Sequence, residues 1–261
     1  MGLSSLGWPD GAVGADASLA IVLVPSLGTT ATLFGDLTRE LRERIPEATI
    51  VRADLPGHGS GPLASSVSIE ALADDLAAQL AAAHAQHAIV VGVSMGGAIA
   101  LEAARRHPRL VDGFVQVNSG VRFGSAEGWQ GLIDAVTRSG TQGLVVSSAA
   151  GWFSEEFRES ATARALLAEL GGLDDGTYIA CCKALADYDG GSGLRDIAVP
   201  ALVVGMADDR GTPSSAMREV ADELTRAEFV ELVTGRHLSL AEHAEDVARH
   251  IADWAMEGKT A

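Results

Sequence analysis

Gly92-Val93-Ser94-Met95-Gly96-Gly97 is the stretch on which the reading of this chain turns. The apolar run Ala88-Ile89-Val90-Val91 leads into it, and the helical pattern Ala98-Ile99-Ala100-Leu101-Glu102-Ala103-Ala104 leads out. The expected local structure is a strand, a sharp turn and a helix, with Ser94 at the apex. Glycine at 92 and 96 lets the two arms of such a turn approach closely. The turn pushes the Ser94 hydroxyl outward at a helix N-terminus. There the first backbone N–H groups have no helical partner and can face a developing negative charge. Gly-x-Ser-x-Gly is a short pattern in a chain with 30 glycines. A nucleophile therefore needs a base and an orienting acid from elsewhere in the sequence.

Upstream, Leu19 to Val24 is a strand-like run ended by Pro25-Ser26-Leu27-Gly28-Thr29-Thr30. Leu33, Leu37, Leu41 and Ile45 share one face of a predicted helix. Thr49 to Arg52 is a short strand, and Asp54-Leu55-Pro56-Gly57-His58-Gly59-Ser60-Gly61 is a loop rich in breakers. Ser68 caps a helix that buries Ile69, Leu72, Leu76 and Leu80. Downstream of the serine, the helix runs out at His107-Pro108 and Val111 to Val117 reads as a strand. Strand and helix alternate with short connections, which predicts an α/β fold with a mostly parallel sheet covered by helices on both faces.

Arg122 to Gly191 breaks the alternation. It carries Trp129, Trp152, Phe153, Phe157 and Tyr178 in helical stretches without a convincing strand. The expected organisation is a core of residues 1–121 and 192–261 with a helical cap, 122–191, inserted in it. Pro200 opens the strand Ala201 to Val204, and Thr212-Pro213 begins a helix lined by Met217, Val220 and Leu224. Phe229 to Val233 is the last strand, and Val247, Ile251 and Trp254 mark the inner face of the final helix.

The composition is that of an ordinary globular chain: 261 residues, 47% hydrophobic and 21% charged. A formal charge of −16 argues against nucleic acid and anionic membrane surfaces as partners. No apolar run is long enough to span a bilayer. Met1 to Asp10 lacks the pattern of a secretory signal, and Leu6 breaks a myristoylation pattern at Gly2. The only cysteines, Cys181 and Cys182, are adjacent, which fits core packing in a reducing cytoplasm. The sequence sets no oligomeric state.

In open parallel sheets the chemistry gathers beyond the carboxyl ends of the strands. After Ala201–Val204 comes Gly205-Met206-Ala207-Asp208-Asp209, and after Phe229–Val233 comes Thr234-Gly235-Arg236-His237. Serine, acid and histidine thus follow one another in the order expected of a serine on such an elbow. Of seven histidines, His84, His87, His107, His243 and His250 lie on helices or at their ends. His58, in its glycine loop, is a candidate for touching substrate, and His237 is the one placed as the base. His237 and His243 have no metal-site spacing, and no H-E-x-x-H or spaced cysteine set exists. The residue after the nucleophile, Met95, and one from the first loop, Leu27, are the expected oxyanion donors through their backbone N–H groups.

Together these elements resemble the α/β-hydrolase superfamily over nearly the whole chain, and within it the 3-oxoadipate enol-lactonases. The signs are Ser26-Leu27-Gly28-Thr29, the elbow itself, Asn118-Ser119, Phe123-Gly124-Ser125-Ala126-Glu127 running to Trp129, Trp152-Phe153, and Tyr178-Ile179-Ala180-Cys181-Cys182-Lys183-Ala184-Leu185. The resemblance implies a cofactor-free hydrolase of a small lactone or ester in aromatic catabolism. It implies a triad of Ser94, Asp209 and His237. Asp209 lies nine residues after Pro200 and four before Pro213, as the family's acid does; counting from Gly205 selects Asp208 instead. Trp129, Trp152 and Tyr178 are the expected aromatic wall of the substrate pocket. Two arginines usual in the family's cap are replaced by Gly151 and Leu132. That leaves Arg122, and less directly Lys183, as partner for a substrate carboxylate. Carboxylesterases, perhydrolases, carbon–carbon bond hydrolases and non-enzymatic ligand receptors share the fold and are the alternatives. Enzymes that use a carboxylate nucleophile are disfavoured by Ser94.

Overall fold

The structure is a computed structural model that describes residues 2–6, 19–85 and 87–257. Of residues 1–10, where no secretory-signal pattern is found, 1 and 7–10 lie outside that set. Among the described residues there are six strands: β1 (Ala20–Val24), β2 (Thr49–Arg52), β3 (Ala88–Val93), β4 (Gly113–Val117), β5 (Ala201–Met206) and β6 (Ala227–Leu232). They form one sheet in the order β2-β1-β3-β4-β5-β6, and every pair is parallel. The interior strands β1, β3, β4 and β5 are buried at every residue, which is why they read as continuous apolar runs rather than alternating ones.

The core helices are α1 (Gly35–Arg44), α2 (Ile69–Ala82), α3 (Met95–Arg106), α8 (Ser214–Glu223) and α9 (Ala244–Glu257). Between β4 and β5 stand four more: α4 (Ala126–Ser139), α5 (Val145–Trp152), α6 (Ala161–Gly171) and α7 (Asp175–Asp187). From β1 the chain steps to β2 on one side and then back across to β3, β4 and onward. Right-handed crossovers therefore put α1 on one face and α2, α3 and α8 on the other. Packing agrees: α2 lies along α3, while α9 returns to pack on α1. The sheet order reverses between β1 and β3, so the loops beyond Val24 and Val93 diverge and leave a crevice at their carboxyl ends.

Several boundaries differ from the sequence reading, and three elements show why. β4 begins at Gly113 rather than Val111, because the amides of Leu110 and Val111 still turn back to the His107 carbonyl. β6 starts two residues earlier than expected and leaves the sheet before Val233, which is 85% exposed. α8 begins at Ser214 with Pro213 at the cap position, because the Thr212 hydroxyl is engaged elsewhere.

The elbow demands its glycines. A Cβ at Gly92 would overlap the Gly96 carbonyl, and one at Gly96 would overlap the Val24 carbonyl of β1. Both obstacles are backbone and cannot swing aside. Gly96→Val is therefore expected to destabilise the fold by about 3 kcal/mol or more in urea denaturation. A loss below about 1 kcal/mol would mean that the elbow does not pack against β1 as described.

Candidate active site

Ser94 joins β3 to α3 with φ 53° and ψ −115°, a left-handed conformation that a serine adopts only under constraint. Such a residue carries on the order of 1–3 kcal/mol of backbone strain. Its neighbours hold it there. The Ser94 amide donates to the Val117 carbonyl at 3.0 Å, and the Ser94 carbonyl accepts the Ser119 hydroxyl at 2.7 Å. The side chain stands at the N-terminus of α3 and is largely buried.

Beyond β5 the chain turns so that Asp209, not Asp208, faces inward. His237 Nδ1 donates to Asp209 Oδ2 at 2.8 Å. The same carboxylate accepts the Thr212 hydroxyl at 2.7 Å and the amides of Gly211 and Thr212 at 2.8 and 3.2 Å. Burial pushes the Asp209 carboxyl upward, but the His237 hydrogen bond and charge, with the Thr212 hydrogen bonds, outweigh it and hold it below the usual range. Asp208 is exposed and instead pins the His237 loop: its amide donates to the Gly235 carbonyl, and its carboxylate accepts the Gly235 amide at 3.3 Å. With a proton on Nδ1, the neutral His237 ring keeps a lone pair on Nε2, as a general base requires.

One residue ties the end of β5 to the His237 loop. Asn118, at the end of β4, is fully buried and takes φ 44°. Its Nδ2 donates to the carbonyls of Arg236 and His237 at 3.0 and 2.9 Å, and its Oδ1 accepts the Met206 amide at 2.9 Å. With Ser119 bound to the Ser94 carbonyl, this dipeptide reaches all three segments that carry the serine, the acid and the histidine. Spacing alone does not reveal this role; the only signal was a polar pair at the carboxyl end of a buried strand. Asn118→Leu leaves two carbonyls and one amide without their partner, and is expected to cost about 2–4 kcal/mol in chemical denaturation. A variant as stable as the parent would show that the clamp is dispensable.

The first loop supplies amides. Thr29 gives its amide and its hydroxyl to the Ser26 carbonyl, at 3.1 and 2.9 Å. The Gly28 amide donates to His58 Nε2 at 2.9 Å. Neither the Leu27 amide nor the Met95 amide has an acceptor among the described residues. Both remain available to a ligand. Glu169 of α6 accepts the hydroxyls of Thr30 and Thr32 at 2.8 and 2.7 Å, docking the inserted helices onto this loop.

A cleft of about 1160 Å³ opens where the C-terminal end of α5 meets the loops after β5 and β6. Trp152, Asp209, Arg236 and His237 line it, whereas Ser94, Leu27 and Met95 are not among its lining residues. The Trp152 ring also lies against Gly28, so this aromatic spans from the cleft to the first loop. The other sequence candidates stand elsewhere. Arg122 is exposed and pairs with Asp189 at 2.6 Å across the neck of the inserted helices, away from the cleft lining. Lys183 is exposed on α7. Trp129 is half-buried, its ring N–H given to the Phe123 carbonyl at 2.6 Å. Tyr178 is buried and stacks on His58, with centroids 6.2 Å apart. His58 is itself fully buried and has both ring nitrogens engaged, so it is part of the framework rather than a surface for substrate. Cys181 and Cys182 are unbridged, and burial pushes both thiols up to about 12, which makes them packing groups.

Comparison with known proteins agrees with this fold. Residues 21–250 match the family described as the alpha/beta hydrolase family. The chain is 28% identical over 240 residues to 3-oxoadipate enol-lactonase 1 of Acinetobacter baylyi, covering 89% of this chain and 86% of that one. It is 28% identical over 243 residues to a pimeloyl-(acyl-carrier protein) methyl ester esterase of Chromobacterium violaceum, covering 89% and 92%. Among solved structures, the enol-lactonase from Burkholderia xenovorans LB400 superposes with a TM-score of 0.86 at 25% identity over 94% of each chain. A serine elbow on a parallel sheet and a match along most of the sequence lead to one conclusion: the chain belongs to the alpha/beta hydrolase family.

Proposed function

We propose that this protein is a cofactor-free serine hydrolase that opens a small lactone or ester through an acyl-enzyme. The observation that carries the reading is Ser94, held in a strained elbow and tied through Asn118-Ser119 to a hydrogen-bonded His237–Asp209 pair. His237 Nε2 takes the Ser94 proton as Oγ attacks the carbonyl carbon. The Leu27 and Met95 amides receive the oxyanion, each worth on the order of 3 kcal/mol of transition-state stabilisation. His237 then returns the proton to the departing oxygen. That oxygen leaves readily from an enol-lactone, because the enolate is resonance-stabilised. Water deprotonated by His237 attacks the acyl carbon, and Ser94 leaves with the proton. Asp209 orients the ring and stabilises its cation. The inserted helices, residues 122–191, act as the cap, with Trp152 as the aromatic wall between the first loop and the cleft.

The favoured substrate is an enol-lactone of the 3-oxoadipate type, supported by the enol-lactonase relatives. Its carboxylate needs a cationic partner. Arg122 pairs with Asp189, so Arg236 replaces it in this reading: it lines the cleft beside His237, and its guanidinium binds the Ala150 carbonyl next to Gly151. A second reading, a neutral carboxylic ester, is favoured by Glu155, Glu156 and Glu242 in the same cleft, which repel an anion. Turnover of 3-oxoadipate enol-lactone is to be measured beside p-nitrophenyl acetate. Fast lactone opening that Arg236→Ala slows by raising KM supports the first reading. Acetate hydrolysis without lactone opening supports the second and removes the pathway assignment.

A further inference from the structure

His58 lies outside the triad, yet both of its ring nitrogens are engaged, one of them by the first loop. It is fully buried. Its Nδ1 lies 2.8 Å from the Pro56 carbonyl, and its Nε2 lies 2.9 Å from the Gly28 amide. A carbonyl can only accept and an amide N–H can only donate. The ring therefore carries its proton on Nδ1 and presents a lone pair at Nε2. A second proton would set N–H against N–H, and burial already disfavours the charged ring.

The consequence lies one residue away, at Leu27. Two peptide planes flank it. In the first, the Leu27 N–H points opposite to the Ser26 carbonyl, because the peptide is trans. Thr29 grips that carbonyl with its amide and its hydroxyl. In the second plane, the N–H is that of Gly28, which His58 grips. Gly28 itself has φ 88° and would otherwise be free to rotate through conformations closed to other residues. With both planes fixed, the Leu27 N–H has one direction. The loop of His58 is fixed in its turn from the inserted helices. Tyr178 of α7 stacks on the imidazole, and Thr177 fills the space beside Gly57, whose φ is 70°.

We propose that His58 is a positioning residue for the oxyanion hole: as a neutral acceptor for the Gly28 amide, it sets the direction of the Leu27 N–H. The proposal rests on the reading of Leu27 as an oxyanion donor. An amide misaimed by a freed peptide plane weakens the transition state more than it weakens substrate binding, since the negative charge exists only after attack.

The test compares His58→Leu, which fills the space without an acceptor, with His58→Gln, whose amide oxygen can accept the Gly28 N–H. Steady-state hydrolysis of p-nitrophenyl acetate and inhibition by phenylboronic acid, which forms a tetrahedral adduct on the serine, are read in the full chain. For His58→Leu, kcat is expected to fall about 50-fold with KM within about three-fold, and boronate affinity to weaken by a similar factor. His58→Gln is expected to regain most of both losses. A folded His58→Leu with parental kcat overturns the proposal. So does a fall in kcat with unchanged boronate affinity, or an equal loss in the Leu and Gln variants. Should His58→Leu not fold, NMR of the parent protein decides. An Nδ1–H tautomer and a scalar coupling between the Gly28 and His58 Nε2 nitrogens are expected; an Nε2–H tautomer overturns the proposal. Ser94→Ala separates the two readings. Turnover that survives it removes the serine mechanism, whereas turnover lost there but intact in a folded His58→Leu removes only the role of His58.

Discussion

Ser94→Ala is expected to lower kcat toward p-nitrophenyl acetate on the order of 10⁴-fold or more while the fold stays intact. The magnitude follows from what the serine does in the proposed cycle. Without Oγ there is no acyl-enzyme, and the amides of Leu27 and Met95 can at most polarise a carbonyl for direct attack by water. Stability should not suffer. The elbow is held by contacts of the Ser94 backbone, the amide to Val117 and the carbonyl to Ser119, neither of which involves the hydroxyl. Alanine in the same left-handed conformation keeps the strain of the parent. A folded variant with kcat within ten-fold of the parent would exclude Ser94 as nucleophile.

Asp209→Asn is expected to cost about 10⁴-fold in kcat with little change in KM, and Asp208→Asn to leave kcat within about three-fold. Asp209 Oδ2 already accepts the Thr212 hydroxyl at 2.7 Å, and Oδ1 accepts the amides of Gly211 and Thr212. Asparagine keeps its single oxygen for one of these sets and turns its NH₂ toward the other. If the NH₂ meets His237 Nδ1, the ring must accept there and carry its proton on Nε2. That tautomer cannot take the Ser94 proton. Among the described residues Asp208 hydrogen-bonds to the backbone of Gly235, a contact that its amide variant keeps. The ionised state of Asp209 also bears on stability. Its folded pKa lies below the unfolded value, so it stabilises the fold above the ordinary carboxylate range, and that contribution is lost as the pH falls through the lowered value.

The elbow was legible because everything it needs is local. A buried strand, two glycines with no room for Cβ and a helix follow one another within a few residues of Ser94. The meeting of His237 with an aspartate was legible because each lies just past a late strand of a parallel sheet. Which aspartate it would be was harder: Asp208 and Asp209 are neighbours, and the turn in which the Asp209 amide meets the Met206 carbonyl decides which one faces inward. Arg122 shows the opposite failure. Nothing near it in sequence says that its partner is Asp189, which arrives at the neck only after the four inserted helices have been traversed. The partners of Asn118 and His58, residues the sequence did single out, escaped for the same reason. Each acts through backbone groups from distant segments, and a pattern of side chains carries no record of which carbonyls and amides will converge.

A covalent acyl-enzyme on Ser94 would be seen by acid-quenched mass spectrometry of the protein during p-nitrophenyl acetate turnover. One acetyl group on the peptide that contains Ser94, absent in Ser94→Ala and accumulating in His237→Ala only at a much slower rate, is the predicted result. Steady turnover by the parent protein with no acyl group on that peptide, and an undiminished rate in Ser94→Ala, would contradict the account.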